Sequence, residues 1–210
     1  MAGAQGTGSA LAFFPGSLDL ESLRAAVQGC QGCDLWARAT QAVFGAGPPQ
    51  ARLMLVGEQP GDVEDETGEP FVGPAGRMLD RCLADAGIDR RSVYVTNVVK
   101  HFKWEPRGKR RIHSKPNARE IRACRPWLDA ELAAVHPEGV VLLGATAAQA
   151  ILGADFRVSV HRGQFVDSPI APLVMATVHP SALLRAPDET RQADVETFTR
   201  DLRRMRERLG

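Results

Sequence analysis

Four short runs of aliphatic and β-branched residues constrain this chain most: Leu53–Val56, Val93–Val99, Val140–Leu143 and Leu173–Val178. A continuous apolar run of that length reads as a strand buried on both faces. Helical patterns lie between and around these runs, at Leu18–Val27, Gly76–Ala86, Ala118–Ala134 and Ala145–Leu152. A last helix, Asp188–Leu209, is strongly charged on one face. Strands alternating with helices predict a three-layer α/β/α sandwich around a central, mostly parallel four-stranded sheet. The segment Arg162-Gly-Gln-Phe-Val166 offers a short additional edge strand. No repeat or low-complexity linker interrupts the pattern, and 210 residues at 44% hydrophobic suit one core. The expectation is therefore a single domain over residues 17–210, behind a loose tail at residues 1–16.

In open α/β sheets, ligands bind beyond the carboxyl ends of the strands. The segments at those ends are Gly57-Glu-Gln-Pro-Gly61, Asn97, Gly144-Ala-Thr and His179-Pro-Ser-Ala-Leu183. Glu58, Asn97 and His179 are thus expected on one rim, where core packing alone asks for no polar residue.

The formal net charge of +1 says little about partners, but its distribution does. Between Lys100 and Lys115 there are seven Lys or Arg and one acid, Glu105. Such a basic loop fits a local phosphate contact. The tail lacks a basic n-region and a long apolar core, and no run approaches a membrane span. A soluble, cytoplasmic, monomeric protein is expected. Without a secretory signal, four cysteines argue against a disulfide framework. Cys30-Gln-Gly-Cys33 instead has the spacing of a metal or cluster knuckle. Cys82 sits in an amphipathic helical pattern and reads as a small core residue.

Taken together, these segments resemble the uracil-DNA glycosylase superfamily, in particular its iron–sulfur branch. The matching motifs are Gly57–Gly61 with the acidic pair Glu64-Asp65, Phe71–Gly76, Thr96–Lys100 and His179–Ser181. The resemblance runs from about Cys30 to Leu209. Gln59 and the inserted Lys109-Arg-Arg-Ile-His113 segment depart from the ordinary iron–sulfur enzymes. Both look like UdgX, the subfamily that becomes covalently trapped on uracil-containing DNA, where the histidine of this segment bonds to the sugar. The resemblance also implies a 4Fe-4S cluster held by Cys30, Cys33, His101 and Cys124, since His101 occupies the position of the family's third cluster cysteine. A histidine can replace a thiolate on a cluster iron. A structural Cys3His zinc site is the alternative for the same ligands.

The implied chemistry assigns each residue a role. Phe71 stacks on the flipped base, and Asn97 reads uracil through an amide presenting donor and acceptor together. His179 stabilises the departing uracil anion. Glu58 faces the sugar cation and assists a nucleophile, which here is the His113 imidazole in place of water. Lys109, Arg110, Arg111, Ser181 and Arg185 hold the uracil-containing DNA, with single strands the preferred substrate, and Gln59 fixes the loop or the histidine. Three other possibilities stand beside this one: a turnover glycosylase using water, a non-catalytic uracil-DNA binder, and a redox or metal sensor built on Cys30 and Cys33.

Overall fold

The apolar runs become strands because both of their faces are covered. In the computed structural model, which describes residues 8–210, the elements follow in order. They are α1 (Leu20–Val27), β1 (Leu53–Gly57), α2 (Asp62–Thr67), α3 (Pro74–Asp85), β2 (Val93–Asn97), β3 (Trp104–Arg107) and β4 (Arg110–His113). Then come α4 (Ala118–Val135), β5 (Gly139–Leu143), α5 (Ala145–Leu152), α6 (Val158–His161), β6 (Phe165–Val166), β7 (Leu173–Thr177), α7 (Pro180–Arg185) and α8 (Asp188–Leu209).

The main sheet has strand order β2-β1-β5-β7-β6. β1 pairs parallel with β5, and β5 parallel with β7. β6 lies antiparallel on β7, pairing Phe165 with Met175. The mostly parallel sheet with flanking helices is as expected, but it has five strands rather than four. The fifth is the two-residue edge strand at Phe165–Val166.

Two compact units share the chain where one domain was expected. The first draws on the chain up to Ala46, on Glu58–Gly73 and on Thr96–Val135; the second takes Gly47–Gly57, Pro74–Val95 and His136–Gly210. Their segments alternate along the sequence, so no linker marks a boundary between them. In the second unit, Met54–Val56, Val140–Leu143 and Val174–Ala176 are fully buried. On α8, Val195, Phe198, Leu202 and Met205 form a buried stripe at helical spacing. Cys82 is buried on α3 beside Leu79 and Leu83, as a core residue. At the end of β5, Gly144 has φ +92°, and a Cβ there would come within 3.1 Å of the His179 Cβ. Only glycine combines that backbone with that approach.

In the first unit, α1 starts from an Asp19 cap whose carboxylate accepts the Ser22 N–H at 2.8 Å. The expected tail lies partly outside the described residues, and the rest of it is folded. Ala10–Phe13 makes a 3-10 turn with Ala10 fully buried. Phe14 packs on Trp127 of α4 with ring centroids 4.5 Å apart. The basic segment expected as a loop is a hairpin, β3 paired antiparallel with β4, with Trp104 opposite His113. Gly108, at φ +62°, supplies the positive backbone angle that a two-residue hairpin turn requires.

Candidate active site

The chain leaves β1 at Gly57 and enters a loop organised by one carboxylate. Glu64, buried in the first turn of α2, accepts the Gly61 N–H at 3.1 Å and the Gly73 N–H at 2.9 Å. A Cβ on Gly61 would meet that carboxylate at 2.6 Å, and one on Gly73 at 3.0 Å. Glycine at both places lets Glu64 tie the Glu58 loop to the Phe71 loop. Between them Phe71 is buried with φ +60°. An aromatic residue in the left-handed region is strained, and such strain concentrates at functional positions.

Glu58 is held from the other side as well, because its carbonyl accepts the Val99 N–H at 3.0 Å. That contact joins it to the turn that follows Asn97. Asn97 is 2% exposed, and its side-chain Oδ1 is buried without a hydrogen-bond partner. A buried amide oxygen left unpaired is costly, so its natural partner is an N–H brought by a ligand.

His113 closes this arrangement at the end of β4. Its Nε2 lies 3.1 Å from Glu58 Oε1, with the His113 side chain 51% exposed and that of Glu58 19% exposed. Gln59 fixes the base of the hairpin. Its Nε2 donates to the Lys103 carbonyl at 3.1 Å and the Ser114 carbonyl at 3.2 Å, and its Oε1 accepts the Lys103 N–H at 3.3 Å. One amide thus pins the residue before β3 and the residue after β4. An alanine or glycine at position 59 makes none of these contacts.

Arg111 corrects an expectation. Its guanidinium pairs with Asp62 at 2.6 Å, with the fully buried Asp65 at 2.6 Å and with Glu66 at 3.2 Å, and it donates to Thr40 Oγ1 at 3.1 Å. It also lies over the rings of Phe102 and Trp104. Those carboxylates take the donors that a phosphate would need, so Arg111 anchors the hairpin to α2 instead. Lys109 and Arg110, at the hairpin turn, are exposed.

Cys30, Cys33, His101 and Cys124 are all buried in the first unit. Two N–H groups point at sulfur: Trp127 Nε1 donates to Cys30 Sγ at 3.2 Å, and the Lys100 backbone N–H to Cys124 Sγ at 3.2 Å. Burial pushes the Cys33 thiol up to about 11, with the Cys30 thiol adding to the rise. Burial raises the Cys124 thiol further, reinforced by Cys33. Burial also lowers His101 to about 4, which keeps its imidazole neutral, the form that ligates metal. Among the described residues, no three His, Cys, Asp or Glu side chains stand close enough together to hold a single metal ion.

The second unit carries His179, Ser181 and Arg185 on α7 and its cap. His179 Nδ1 accepts the Ser181 N–H at 3.2 Å and lies 2.8 Å from Ser181 Oγ. A ring nitrogen that accepts a backbone N–H carries no proton, so the neutral ring has its N–H at Nε2. Ser181 therefore sets the tautomer of His179.

The sequence reading gave Gln59 the task of fixing the loop or the histidine, but it did not anticipate the Arg111 anchor, the Phe71 backbone or a fully buried pair, Lys100 with Glu131. A signal for the last existed, since Glu131 lies on the same face of α4 as Cys124, Trp127 and Leu128. A carboxylate in an apolar stripe is unusual enough to mark.

Comparison with known proteins accounts for the order of these motifs. The profile of the Uracil DNA glycosylase superfamily matches residues 44–203. A Type-4 uracil-DNA glycosylase of Thermotoga maritima is 38% identical over 167 residues, covering 79% of this chain and 83% of the relative. One from Pyrobaculum aerophilum is 33% identical over 179 residues, covering 81% and 87%. A Type-5 uracil-DNA glycosylase of the same organism is 32% identical over 203 residues, covering 88% and 84%. The match spans the Glu58 loop, the Asn97 strand and the His179 cap alike, and by it this chain belongs to the uracil DNA glycosylase superfamily.

Proposed function

We propose that this protein is a uracil-DNA glycosylase whose excision ends in a covalent bond between His113 and the sugar. The glycosylase activity is supported by the Type-4 relatives. The covalent ending is supported by one observation, the 3.1 Å approach of His113 Nε2 to Glu58 Oε1 on an imidazole half-exposed to solvent.

The flipped uracil presents its N3–H to Asn97 Oδ1 and its O4 to the amide NH2. Cytosine has an acceptor at position 3 and a donor at position 4, so it would leave both ends of the amide mismatched. As the C1′–N1 bond breaks, its electron pair leaves with the base; the family resemblance gives His179, whose ring N–H sits at Nε2, the role of stabilising that anion. The cation at C1′ is then captured. Glu58 takes the proton from His113 Nε2, and the freed lone pair bonds to C1′. The products are a neutral N-linked imidazole, a protonated Glu58 and a uracil anion, which recovers a proton from Glu58 or water. Lys109, Arg110 and Arg185 contact phosphates and position the strand without reading sequence.

We assign Cys30, Cys33, His101 and Cys124 to a 4Fe-4S cluster, whose role here is to tie the N-terminal segment to α4. The donor set fits: three buried sulfurs, two of them already receiving N–H bonds, and a buried neutral imidazole.

The test mixes the protein with a uracil-containing single-stranded oligonucleotide and resolves it by denaturing electrophoresis after boiling. A shifted band with wild type that disappears in His113→Ala supports the proposal. Free abasic DNA accumulating over many turnovers with no shifted band identifies an ordinary turnover enzyme. For the cluster, anaerobically purified protein should be brown and contain about four irons per chain, the stoichiometry of the cubane. A colourless protein with one zinc overturns the assignment.

A further inference from the structure

The Lys100–Glu131 pair is fully buried, with both side chains at 0% exposure. Burying two charges is expensive, and apolar residues of similar volume often give equal or greater stability. The pair is therefore best understood through what it holds in place. Lys100 Nζ has three N–H bonds to give, and each has an acceptor: Thr96 Oγ1 at 2.7 Å, the Asn97 carbonyl at 2.7 Å, and the Glu131 carboxylate. Glu131 in turn accepts the Thr96 hydroxyl at 2.8 Å and the Gly45 N–H at 2.8 Å. The Lys100 backbone is pinned as well, donating to Cys124 Sγ and accepting from the Val43 N–H at 2.7 Å. Within this network, Lys100 Nζ holds the carbonyl of Asn97 directly, and Lys100 and Glu131 together hold the side chain of Thr96 immediately before it. Asn97 itself makes no side-chain hydrogen bond at Oδ1. The backbone beneath it is thus fixed while its amide oxygen is kept available.

We infer that Lys100, Glu131 and Thr96 are positioning residues that lock the backbone of Asn97, and so set the selectivity for the uracil edge over that of cytosine. The inference rests on Asn97 reading the base. It goes further in assigning selectivity to a buried charge pair that touches no substrate. An amide fixed in orientation discriminates, because the wrong base leaves buried polar groups unpaired. An amide on a loosened turn can tilt to reduce the mismatch.

The test compares wild type with Lys100→Met/Glu131→Gln, which removes both charges and leaves neither partner alone. Iron content and affinity for an undamaged single-stranded oligonucleotide should match wild type. Affinity for free uracil should fall about 10-fold or more, and the ratio of uracil to cytosine excision should fall by a similar factor, the range for one lost oriented hydrogen bond. Wild-type uracil affinity and selectivity in this folded variant would overturn the inference. Should the double variant not fold, Thr96→Val decides, since it deletes only the shared hydroxyl and keeps the ion pair. It should weaken free-uracil binding about 3-fold to 10-fold, and unchanged binding contradicts the role. If wild type itself neither binds uracil nor releases it from DNA, the functional proposal fails first, and that result is distinct from either variant outcome.

Discussion

Two segments of the first unit, the Asn97 turn and the His113 hairpin, carry neighbouring steps of the proposed reaction but are built in opposite ways. The Asn97 turn is dry. Thr96, Asn97, Lys100 and Glu131 are all buried, and their hydrogen bonds close on one another. The hairpin is wet. Its tip is exposed, His113 is half-exposed, and polar contacts at its base and side hold it, from Gln59 and from the acids around Arg111. The difference fits the two tasks. Telling uracil from cytosine needs an amide that cannot reorient. Capturing a sugar cation needs an imidazole that DNA can reach.

The contrast can be broken first where the network is densest. Lys100→Met alone strands the Glu131 carboxylate in the core, and should cost about 3–5 kcal/mol of unfolding free energy, measured by urea titration at matched iron content. Asn97→Ala acts on recognition alone. It should lower uracil excision about 10-fold to 100-fold, the equivalent of ~1–3 kcal/mol for an unpaired polar group, with little change in the melting temperature. Gln59→Ala should sharpen the comparison from the other side. Its hydrogen bonds to the hairpin base are worth about 0.5–1.5 kcal/mol each, so cross-linking should slow about 10-fold while uracil release in single-turnover assays is nearly unchanged. An equal fall in both would mean that Gln59 serves bond breaking and not the placing of His113. The smallest effects belong to the hairpin tip. Lys109→Ala and Arg110→Ala should each reduce the salt dependence of single-strand binding by about 0.7 in the log–log slope per phosphate contact. Arg111→Ala should not alter that slope, because its charge is committed to Asp62, Asp65 and Glu66.

What was legible in the sequence follows the same division. The strands were readable because burial on both faces leaves uninterrupted runs such as Val140–Leu143. Glu58, Asn97 and His179 were readable because strand ends are where an α/β sheet offers a ligand site. The hairpin was not, since Trp104–Arg107 and Arg110–His113 carry no buried face and no apolar alternation, only the turn glycine. The misplaced phosphate role of Arg111 has a simple cause. A charge run shows sign but not partners, and the partners lie more than 40 residues away. Distance in sequence hid the Lys100–Glu131 pair as well. The two compact units were invisible because their segments interleave. The tail was misjudged because its small residues conceal Ala10 and Phe14, which the fold buries or stacks.

The central claim is tested most directly by intact mass spectrometry of the protein after reaction with a uracil-containing single-stranded oligonucleotide, followed by proteolysis to locate any adduct. The account predicts a protein heavier by the oligonucleotide less its uracil, with the added mass on the peptide containing His113. Unmodified protein beside accumulating free abasic DNA, or an adduct on any other residue, would contradict it.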